Sequence, residues 1–212
     1  MKRVTIVISV FLLIAFALLS KYEDRGFLRN LDFAVTVKVQ ERIDKSTHLR
    51  LADFVGNVME GATFFAAPVF STVAMLVLSG FALRKNRRAL FIPILFAIIV
   101  LVELYGKTIV HHPSPPFSMI KHPTSLFPAN YVNEQFSYPS GHAARAVFLA
   151  IIAYMLTRKR WFISFGLLLY VAFVSISRIY LGEHWFTDVV GGLLLGSALG
   201  VLTWASLATY NR

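Results

Sequence analysis

Two short polar stretches contain residues whose types and spacing suit chemistry. The first is Tyr-Pro-Ser-Gly-His at residues 138–142, and the second is Ser177-Arg178, followed by His184 and Asp188. Each stretch lies where a long apolar run meets a polar loop, and charged residues at the edge of a membrane span usually serve a function. Two histidines, an arginine, a carboxylate and a turn that opens a helix predict a site that handles phosphate at a membrane surface.

The second stretch predicts a nucleophile. His184 and Asp188 are four residues apart, so on a helix they are neighbours on one face. A carboxylate bonded to one imidazole nitrogen fixes the tautomer and makes the other nitrogen a better nucleophile. Arg178 and Lys107 can neutralise phosphate oxygens. Each residue also has a structural interpretation, as a charge pair that ends a helix or as a side chain reaching the interface. Their combination favours catalysis.

The first stretch predicts an anion site with a proton donor. Backbone N–H groups at a helix start can bind an anion, and Pro-Ser-Gly is a suitable turn before one. His142, which follows this turn, can protonate a leaving oxygen. The alternative is a histidine that caps the helix or lies at the membrane interface.

Membrane-spanning helices are the elements predicted to position these residues. The chain is 57% hydrophobic with a mean hydropathy of +0.65, which is too apolar for an ordinary soluble domain. Its length predicts a single domain, residues 1–212, with a catalytic core at about residues 100–192. The sequence therefore predicts an all-α polytopic protein. About six apolar runs are long enough to span a bilayer: residues 4–20, 62–83, 89–105, 143–156, 162–179 and 189–207.

Basic residues predict the orientation. Clusters at residues 84–88 and 158–160, together with Lys2, Arg3 and Arg212, all fall on one side of a six-span bundle, which is predicted to be cytoplasmic. Both termini are then cytoplasmic in a multi-pass protein of the cell membrane. The net charge of +10 is scattered in short clusters, so nucleic-acid binding is not predicted. The candidate site residues gather on the outer face: Lys107, His142, Arg178, His184 and Asp188.

The first apolar run has two interpretations. Its basic start, Lys2-Arg3, is compatible with a signal peptide. The apolar stretch is long, and no clear cleavage site precedes Lys21, which favours an uncleaved span.

Two connecting regions have predicted structure. Apolar residues recur every four positions in the first loop, which predicts an amphipathic helix, lying either on the outer membrane surface or packed on the bundle: Leu31, Val35, Val39 and Ile43. Residues 113–136 are rich in proline, which prevents a long helix and predicts a lid or rim over the outer site. Lys121 in this loop is interpreted either as a headgroup contact or as a solvated charge.

At this point the sequence resembles a known family. The spacing Ser177-Arg178-x5-His184-x3-Asp188 and the Pro-Ser-Gly-His of residues 139–142 resemble two motifs of the type 2 phosphatidic acid phosphatase (PAP2) superfamily. That family shares its site with vanadium haloperoxidases. The resemblance implies a metal-independent lipid phosphatase, close to the undecaprenyl-diphosphatase branch, built as a six-helix bundle in the bilayer without a cofactor.

The resemblance also implies a role for each matching position. His184 attacks phosphorus and forms a phosphohistidine, while Asp188 orients it. His142 protonates the leaving alcohol and then activates the hydrolytic water. The positions that surround the phosphate are Lys107, Ser140, Gly141 and Arg178.

One position departs from the family pattern. The family's first motif is Lys-x6-Arg-Pro, whereas residues 107–115 read Lys-Thr-Ile-Val-His-His-Pro-Ser-Pro. Ser114 therefore stands where the arginine is expected. A positive charge on the transferring phosphoryl group stabilises the transition state by several kcal/mol, so the change predicts a substitute.

Three residues are candidates to substitute for the arginine. Arg145 lies three residues after His142 and can share its helix face. His111 and His112 are adjacent to the changed position. The alternative for Arg145 is a structural ion pair with a carboxylate such as Glu103, because an arginine inside a span needs an anionic partner.

The predicted function is hydrolysis of a lipid phosphate or diphosphate. Candidate substrates are a polyprenyl diphosphate, phosphatidylglycerol phosphate and phosphatidic acid, among which the sequence does not choose. The alternatives are a phosphotransferase that uses the same phosphohistidine and, because of Ser114, a non-catalytic lipid-binding scaffold. Haloperoxidase chemistry fits least, because the apolar spans favour a lipid substrate. No metal site is predicted, since the adjacent His111 and His112 point in different directions. The sequence predicts no oligomeric state.

Overall fold

The computed structural model describes residues 2–23, 25–45, 49–121, 135–157 and 160–207. Its described residues form helices and no strand, apart from one isolated bridge between Pro113 and Phe136. The helices are α1 (Lys2–Tyr22), α2 (Gly26–Lys45), α3 (Leu49–Ala66), α4 (Pro68–Leu83), α5 (Phe91–Ile109), α6 (Gly141–Leu156), α7 (Trp161–Tyr180) and α8 (Phe186–Leu207).

Four helices of the described chain are long and apolar enough to cross a membrane, namely α1, α5 with the 3-10 turn before it, α7 and α8. They match four of the predicted runs. The run predicted as one span at residues 62–83 is bent by 51° between α3 and α4, and the pair Asn57–Ala66 and Pro68–Leu83 is a fifth candidate span if it crosses as one unit. Pro68 is the first residue of α4. A proline is tolerated at the start of a helix, but it lacks the backbone N–H that would continue α3. The shorter α6 matches the remaining run, and the count of six spans stays a prediction.

Helices α6 and α8 form the centre of the bundle. Two glycines of α8 allow this close approach, because a Cβ at Gly192 would overlap the carbonyl oxygen of Ser140, and one at Gly196 would overlap that of Ala144. Phe148 of α6 is fully buried in a core shared with α5 and α8, and burying such a side chain contributes about 2 kcal/mol. The start of α6 is therefore held directly against α8.

Helix α1 packs antiparallel to α8. Near one end, the Ser9 hydroxyl donates to the carbonyl oxygen of Ala198 at 2.8 Å. Near the other, the Ser20 hydroxyl donates to the Tyr138 hydroxyl at 3.0 Å, and the Tyr138 ring stacks on Phe16. These contacts fix the segment that leads into α6.

The predicted amphipathic helix is present as α2, and it packs against α7 and α8. Val39 and Ile43 contact a small buried cluster at the end of α7. The same helix carries two buried polar side chains, Asp32 and Thr36, on its packed side. Since α2 packs on the bundle in this way, it brings a carboxylate into the interior from outside the predicted catalytic core.

The predicted lid lies largely outside the described residues, which omit 122–134. Its first part is held on α2 and α7. The Lys121 ammonium pairs with Asp44 and lies 4.9 Å from the centre of the Tyr180 ring, while the Lys121 N–H donates to the Leu181 carbonyl oxygen at 3.0 Å. Lys121 thus contacts protein groups of α2 and of the end of α7.

Candidate active site

The sequence-predicted site residues meet at one end of the bundle. Lys107 is in the last turn of α5 and Arg178 in the last turn of α7, whereas Asp188 is in the first turn of α8. Ser140 occupies the N-cap position of α6, where its side chain makes no capping hydrogen bond to the described residues. The connection from α7 to α8 is tight because Gly182 has a φ of +71°, which favours glycine. This turn presents His184 beside the two helix ends.

His184 and Asp188 form the predicted pair. The His184 Nδ1 atom lies 3.3 Å from Asp188 Oδ2, and both side chains are buried. The Trp185 N–H donates to the same oxygen at 2.8 Å, so Asp188 also caps the helix that carries it. The Ser140 N–H donates to the Asp188 carbonyl oxygen at 3.0 Å, which joins the two sequence motifs directly.

Burial keeps the His184 ring neutral. Desolvation lowers the pKa of His184 and Arg178 lowers it further, although the hydrogen bond to Asp188 acts in the opposite direction. The net result is a pKa of His184 below the usual histidine value, so the ring is neutral near pH 7. With Nδ1–H donating to Asp188, the lone pair is on Nε2.

His112 holds the other oxygen of Asp188, a contact that the sequence analysis did not predict. Its Nδ1 lies 2.8 Å from Asp188 Oδ1, and its Nε2 lies 3.5 Å from Asp32 Oδ2. Asp32 accepts hydrogen bonds of 2.7 Å from the N–H and the hydroxyl of Thr187. We call His184, Asp188, His112 and Asp32 the nucleophile cluster. The only signal in the sequence was Asp32 itself, a carboxylate next to Leu31 on the apolar side of a predicted helix.

His112 is held as a cation. Burial alone would lower the pKa of His112, but its hydrogen bonds to Asp188 and Asp32 outweigh that effect and raise the pKa to about 9.

The residues around Ser114, where the family arginine is expected, contact other protein groups. The Ser114 N–H donates to the Gln135 carbonyl oxygen. The exposed His111 ring lies against Phe136 at 5.0 Å. His112 therefore faces carboxylates, and His111 faces an aromatic ring.

The basic side chains form a second group, the cation cluster of Lys107, Arg145 and Arg178. Arg145 pairs with Glu103, the partner that the structural interpretation named, and Lys107 Nζ lies 3.8 Å from the same carboxylate. Arg178 pairs with Glu183. Glu103 also touches the start of α6, since a Cβ at Gly141 would overlap its carboxylate. His142 interacts electrostatically with Arg178, Arg145, His184 and Lys107.

Several buried donors at this end of the bundle have no hydrogen-bond partner in the described part of the chain. They are Nε and Nη1 of Arg178, Nε of Arg145 and the hydroxyl of Ser140. The first N–H groups of α6 begin beside them, and helix starts attract anions. Buried donors normally have partners, so this combination fits an anionic ligand. Within the described ranges, no group of three or more His, Asp or Glu side chains is arranged to hold a metal ion.

The fold and the site together define a membrane protein that handles phosphate, and comparison with known proteins agrees. The sequence model of the PAP2 superfamily matches residues 88–212, and the chain belongs to this family of lipid phosphatases. It is 30% identical over 169 residues to phosphatidylglycerophosphatase B of Bacillus subtilis, covering 75% of this chain and 78% of that protein. It is 39% identical over 87 residues to the undecaprenyl-diphosphatase of Sulfolobus acidocaldarius, covering 37% and 41%.

A solved structure shares the fold. The transmembrane PAP2-type phosphatidylglycerolphosphate phosphatase from Bacillus subtilis superposes with a TM-score of 0.75 at 24% identity, over 96% of this chain and 98% of that chain. The similarity includes α1 and α2, which lie outside the residues matched by the family model. The chain is thus a multi-pass membrane protein with a PAP2 fold.

Proposed function

We propose that this protein hydrolyses a lipid phosphomonoester or diphosphate through a phosphohistidine on His184. The observation that carries the proposal is the set of unpartnered donors on Arg178, Arg145 and Ser140 beside the His184–Asp188 pair. A phosphoryl group bound by these donors would meet Nε2 of His184.

In the first step, Nε2 of His184 bonds to phosphorus while the bond from phosphorus to the leaving oxygen breaks. His142 gives its proton to that oxygen, which departs as the lipid alcohol, or as the lipid monophosphate when the substrate is a diphosphate. Asp188 accepts the Nδ1–H of His184 and stabilises the positive charge that develops on the ring. Lys107 and Arg178 stabilise the negative charge on the phosphoryl oxygens.

In the second step, water replaces the histidine. His142, now neutral, takes a proton from water, and the resulting oxygen bonds to phosphorus as the bond from phosphorus to Nε2 breaks. Inorganic phosphate leaves, His142 is protonated again and His184 is neutral. The step needs no metal and no cofactor.

An apolar cleft between α1 and α5 supports a lipid substrate. Its volume is about 250 Å³, and its walls include Phe16, Leu101, Tyr105 and Tyr138. Tyr138 directly precedes the Pro-Ser-Gly-His turn. A hydrocarbon chain in this cleft would approach the site from the bilayer. The names of the relatives point to phosphatidylglycerol phosphate and undecaprenyl diphosphate as the first substrates to test, with phosphatidic acid as a third.

Phosphate release from these three lipids in detergent, with and without EDTA, tests the proposal. We expect release from at least one lipid, no loss in excess chelator, and inhibition by vanadate, which mimics the five-coordinate phosphoryl group. His184→Ala is the matched control. Release only when an acceptor lipid is added would indicate a phosphotransferase. Binding of lipid phosphates with no turnover would indicate a scaffold, and an absolute need for a divalent ion would reject the mechanism.

We also propose that the site faces outward and that both termini are cytoplasmic. The chain has no cysteine, so single cysteines can report the orientation. Ser118 and Lys85 are exposed at opposite ends of the bundle's helices. Ser118→Cys should react with an impermeant maleimide in intact cells, and Lys85→Cys should react only after lysis. The reverse pattern would show that the orientation is inverted.

A further inference from the structure

The nucleophile cluster contains more than the predicted pair. Asp188 is fully buried, and both of its oxygens accept hydrogen bonds: Oδ2 from His184 and the Trp185 N–H, Oδ1 from His112. The bond to His184 is the longest of the three, at 3.3 Å against 2.8 Å for the other two. The orientation of the Asp188 carboxylate is therefore set mainly by Trp185 and His112.

Hydrogen bonds and a ring contact hold both the backbone and the side chain of His112 in place. The Ser137 N–H donates to its carbonyl oxygen at 3.1 Å, and the Trp185 indole donates to the carbonyl oxygen of Pro113 at 2.7 Å. Its ring lies edge-on to Tyr138. Its Nε2 points to Asp32, which is only 1% exposed. The imidazole thus has a fixed place between two carboxylates.

Asp32 connects this arrangement to α2. Its carboxylate accepts from both the N–H and the hydroxyl of Thr187, in the first turn of α8. Backbone N–H groups in a first turn have no partner within their own helix, so Asp32 completes the helix that carries Asp188. Because α2 lies outside residues 88–212, this part of the site comes from beyond the region that the family model matches.

We propose that His112, anchored by Asp32, is a positioning residue that holds Asp188 in the orientation needed to align His184. The kinetic test of this proposal rests on the proposed function, whereas the contacts of His112 with Asp188 and Asp32 do not depend on any substrate. Carboxylates that orient a catalytic histidine act through geometry and through charge. His112 contributes to both, because it fixes Oδ1 and shares the negative charge of Asp188 with His184.

The charge contribution has a predictable sign. The titratable groups that face His112 are Asp32 from α2, Asp188 from α8 and Tyr138 from the segment before α6, and Tyr138 in turn interacts with Glu23 at the end of α1. A cationic His112 weakens the attraction of Asp188 for a proton on His184. Removing that charge while keeping the hydrogen bond should therefore raise the pKa of His184.

Two substitutions separate the nitrogens of His112. His112→Asn places an amide donor near the position of Nδ1, so it keeps the bond to Asp188 and removes the charge. His112→Gln reaches toward Asp32 and leaves Asp188 Oδ1 without its donor. His111→Asn is the matched control, because His111 is the adjacent histidine and is exposed. Melting and size-exclusion behaviour in detergent confirm that each variant is folded.

We expect His112→Gln to lower kcat about 100-fold with little change in KM, the size of effect that misplacing a reacting group produces. His112→Asn should keep a clearly higher kcat than His112→Gln, and the acidic limb of its kcat/KM profile should move to higher pH. The control should match the wild type in all three values. A kcat within threefold of wild type for folded His112→Gln would overturn the inference. So would equal losses in both variants with an unmoved acidic limb, because that is the pattern of a merely structural residue.

A measurement without turnover separates this inference from the proposed function. The His184 ring can be titrated by NMR in 15N-histidine-labelled protein, with its signal assigned from the spectrum of His184→Ala. The pKa of His184 should be higher in His112→Asn than in the wild type and unchanged in His111→Asn. An unchanged pKa in His112→Asn overturns the inference, whatever the enzyme assay shows. A raised pKa together with no phosphate release from any lipid supports the inference and overturns only the proposed function.

Discussion

The nucleophile cluster and the cation cluster lie at the same end of the bundle, yet their hydrogen bonding differs. In the nucleophile cluster, both oxygens of Asp188 and both oxygens of Asp32 accept hydrogen bonds. In the cation cluster, Arg178 and Arg145 each use one guanidinium nitrogen for a carboxylate and keep other buried N–H groups without a described partner. The hydrogen bonding of the two carboxylates in the nucleophile cluster is satisfied by protein groups, whereas the cation cluster keeps buried donors that suit an anionic ligand.

Under the proposed mechanism, the two clusters would perform two different tasks. A buried donor without a partner costs about 1–3 kcal/mol, so a fold keeps such donors only where something else compensates for them. An attacking atom needs fixed geometry, which a saturated network provides. A site for a transferring phosphoryl group needs donors that are already in position. The following predictions test this division from the largest expected effect to the smallest.

Loss of the nucleophile should be the most severe change. We expect His184→Ala to lower phosphate release by at least about 10⁴-fold, because no other group replaces the covalent step. Asp188→Asn should lose less, since Asp188 orients the ring and does not bond to phosphorus. Both rates can be measured by single-turnover assays on detergent-purified protein, with melting temperature as the folding control. Substantial turnover by His184→Ala would place the nucleophile elsewhere.

Arg178 should show the importance of fork geometry within the cation cluster. Arg178→Lys keeps the charge but cannot present the two donors that Nε and Nη1 offer, so kcat should fall roughly 100- to 1000-fold, as when a preorganised donor is removed. Arg84→Lys, on an exposed arginine stacked over Phe81, is the matched control and should have no effect. If both lysine variants keep full activity, charge alone accounts for the role of Arg178.

Arg145 tests whether the departure at Ser114 is compensated. Arg145→Ala should lower activity on the order of 100-fold, because a donor to the phosphoryl group is lost and Glu103 is left next to it. Ser114→Arg in that background should recover part of the loss. Adding Glu103→Gln to Arg145→Ala separates the two causes. Full recovery in that double variant would mean that Arg145 serves only to neutralise Glu103, and no loss in the single variant would show that it serves neither purpose.

The smallest effect concerns stability. The pKa of His112 is raised to about 9 in the folded protein, whereas an unfolded histidine titrates near 6.5. The His112 ion pairs therefore stabilise the fold fully below about pH 6.5, and this stabilisation is lost as the pH rises through about 9. The melting temperature in detergent should fall over this interval, and it should fall less in His112→Asn. Parallel curves for the two proteins would refute the assignment of charge to His112.

Residue types and spacing predicted much of this protein. The apolar runs gave α1, α5, α7 and α8, because a span needs about twenty apolar residues regardless of its neighbours. Helical spacing predicted the pair of His184 and Asp188, and the structure brings them to 3.3 Å. The contact has a different cause, because His184 lies in the turn before α8 and only Asp188 lies on the helix.

The four-residue spacing of apolar residues predicted a helix at α2 and left open whether it lies on the membrane surface or packs on the bundle. In the structure it packs against α7 and α8. Pro68 itself indicated the break between α3 and α4, but the continuous hydropathy of the run favoured a single span.

What the tertiary structure decided lies between residues far apart along the chain. Asp188 and His112 are separated by 76 positions, and Thr187 and Asp32 by 155. Periodicity and motif spacing report neighbours within about one helical turn, so they predict which face a residue occupies and not which distant side chain it meets. The sequence by itself determined the class of chemistry and the helices that carry it. The sequence offered Glu103 as one of two alternatives for Arg145, and contact between α5 and α6 realised that pair. Only the packing of α2 and of the segment after α5 against the start of α8 decided that Asp188 has a second histidine.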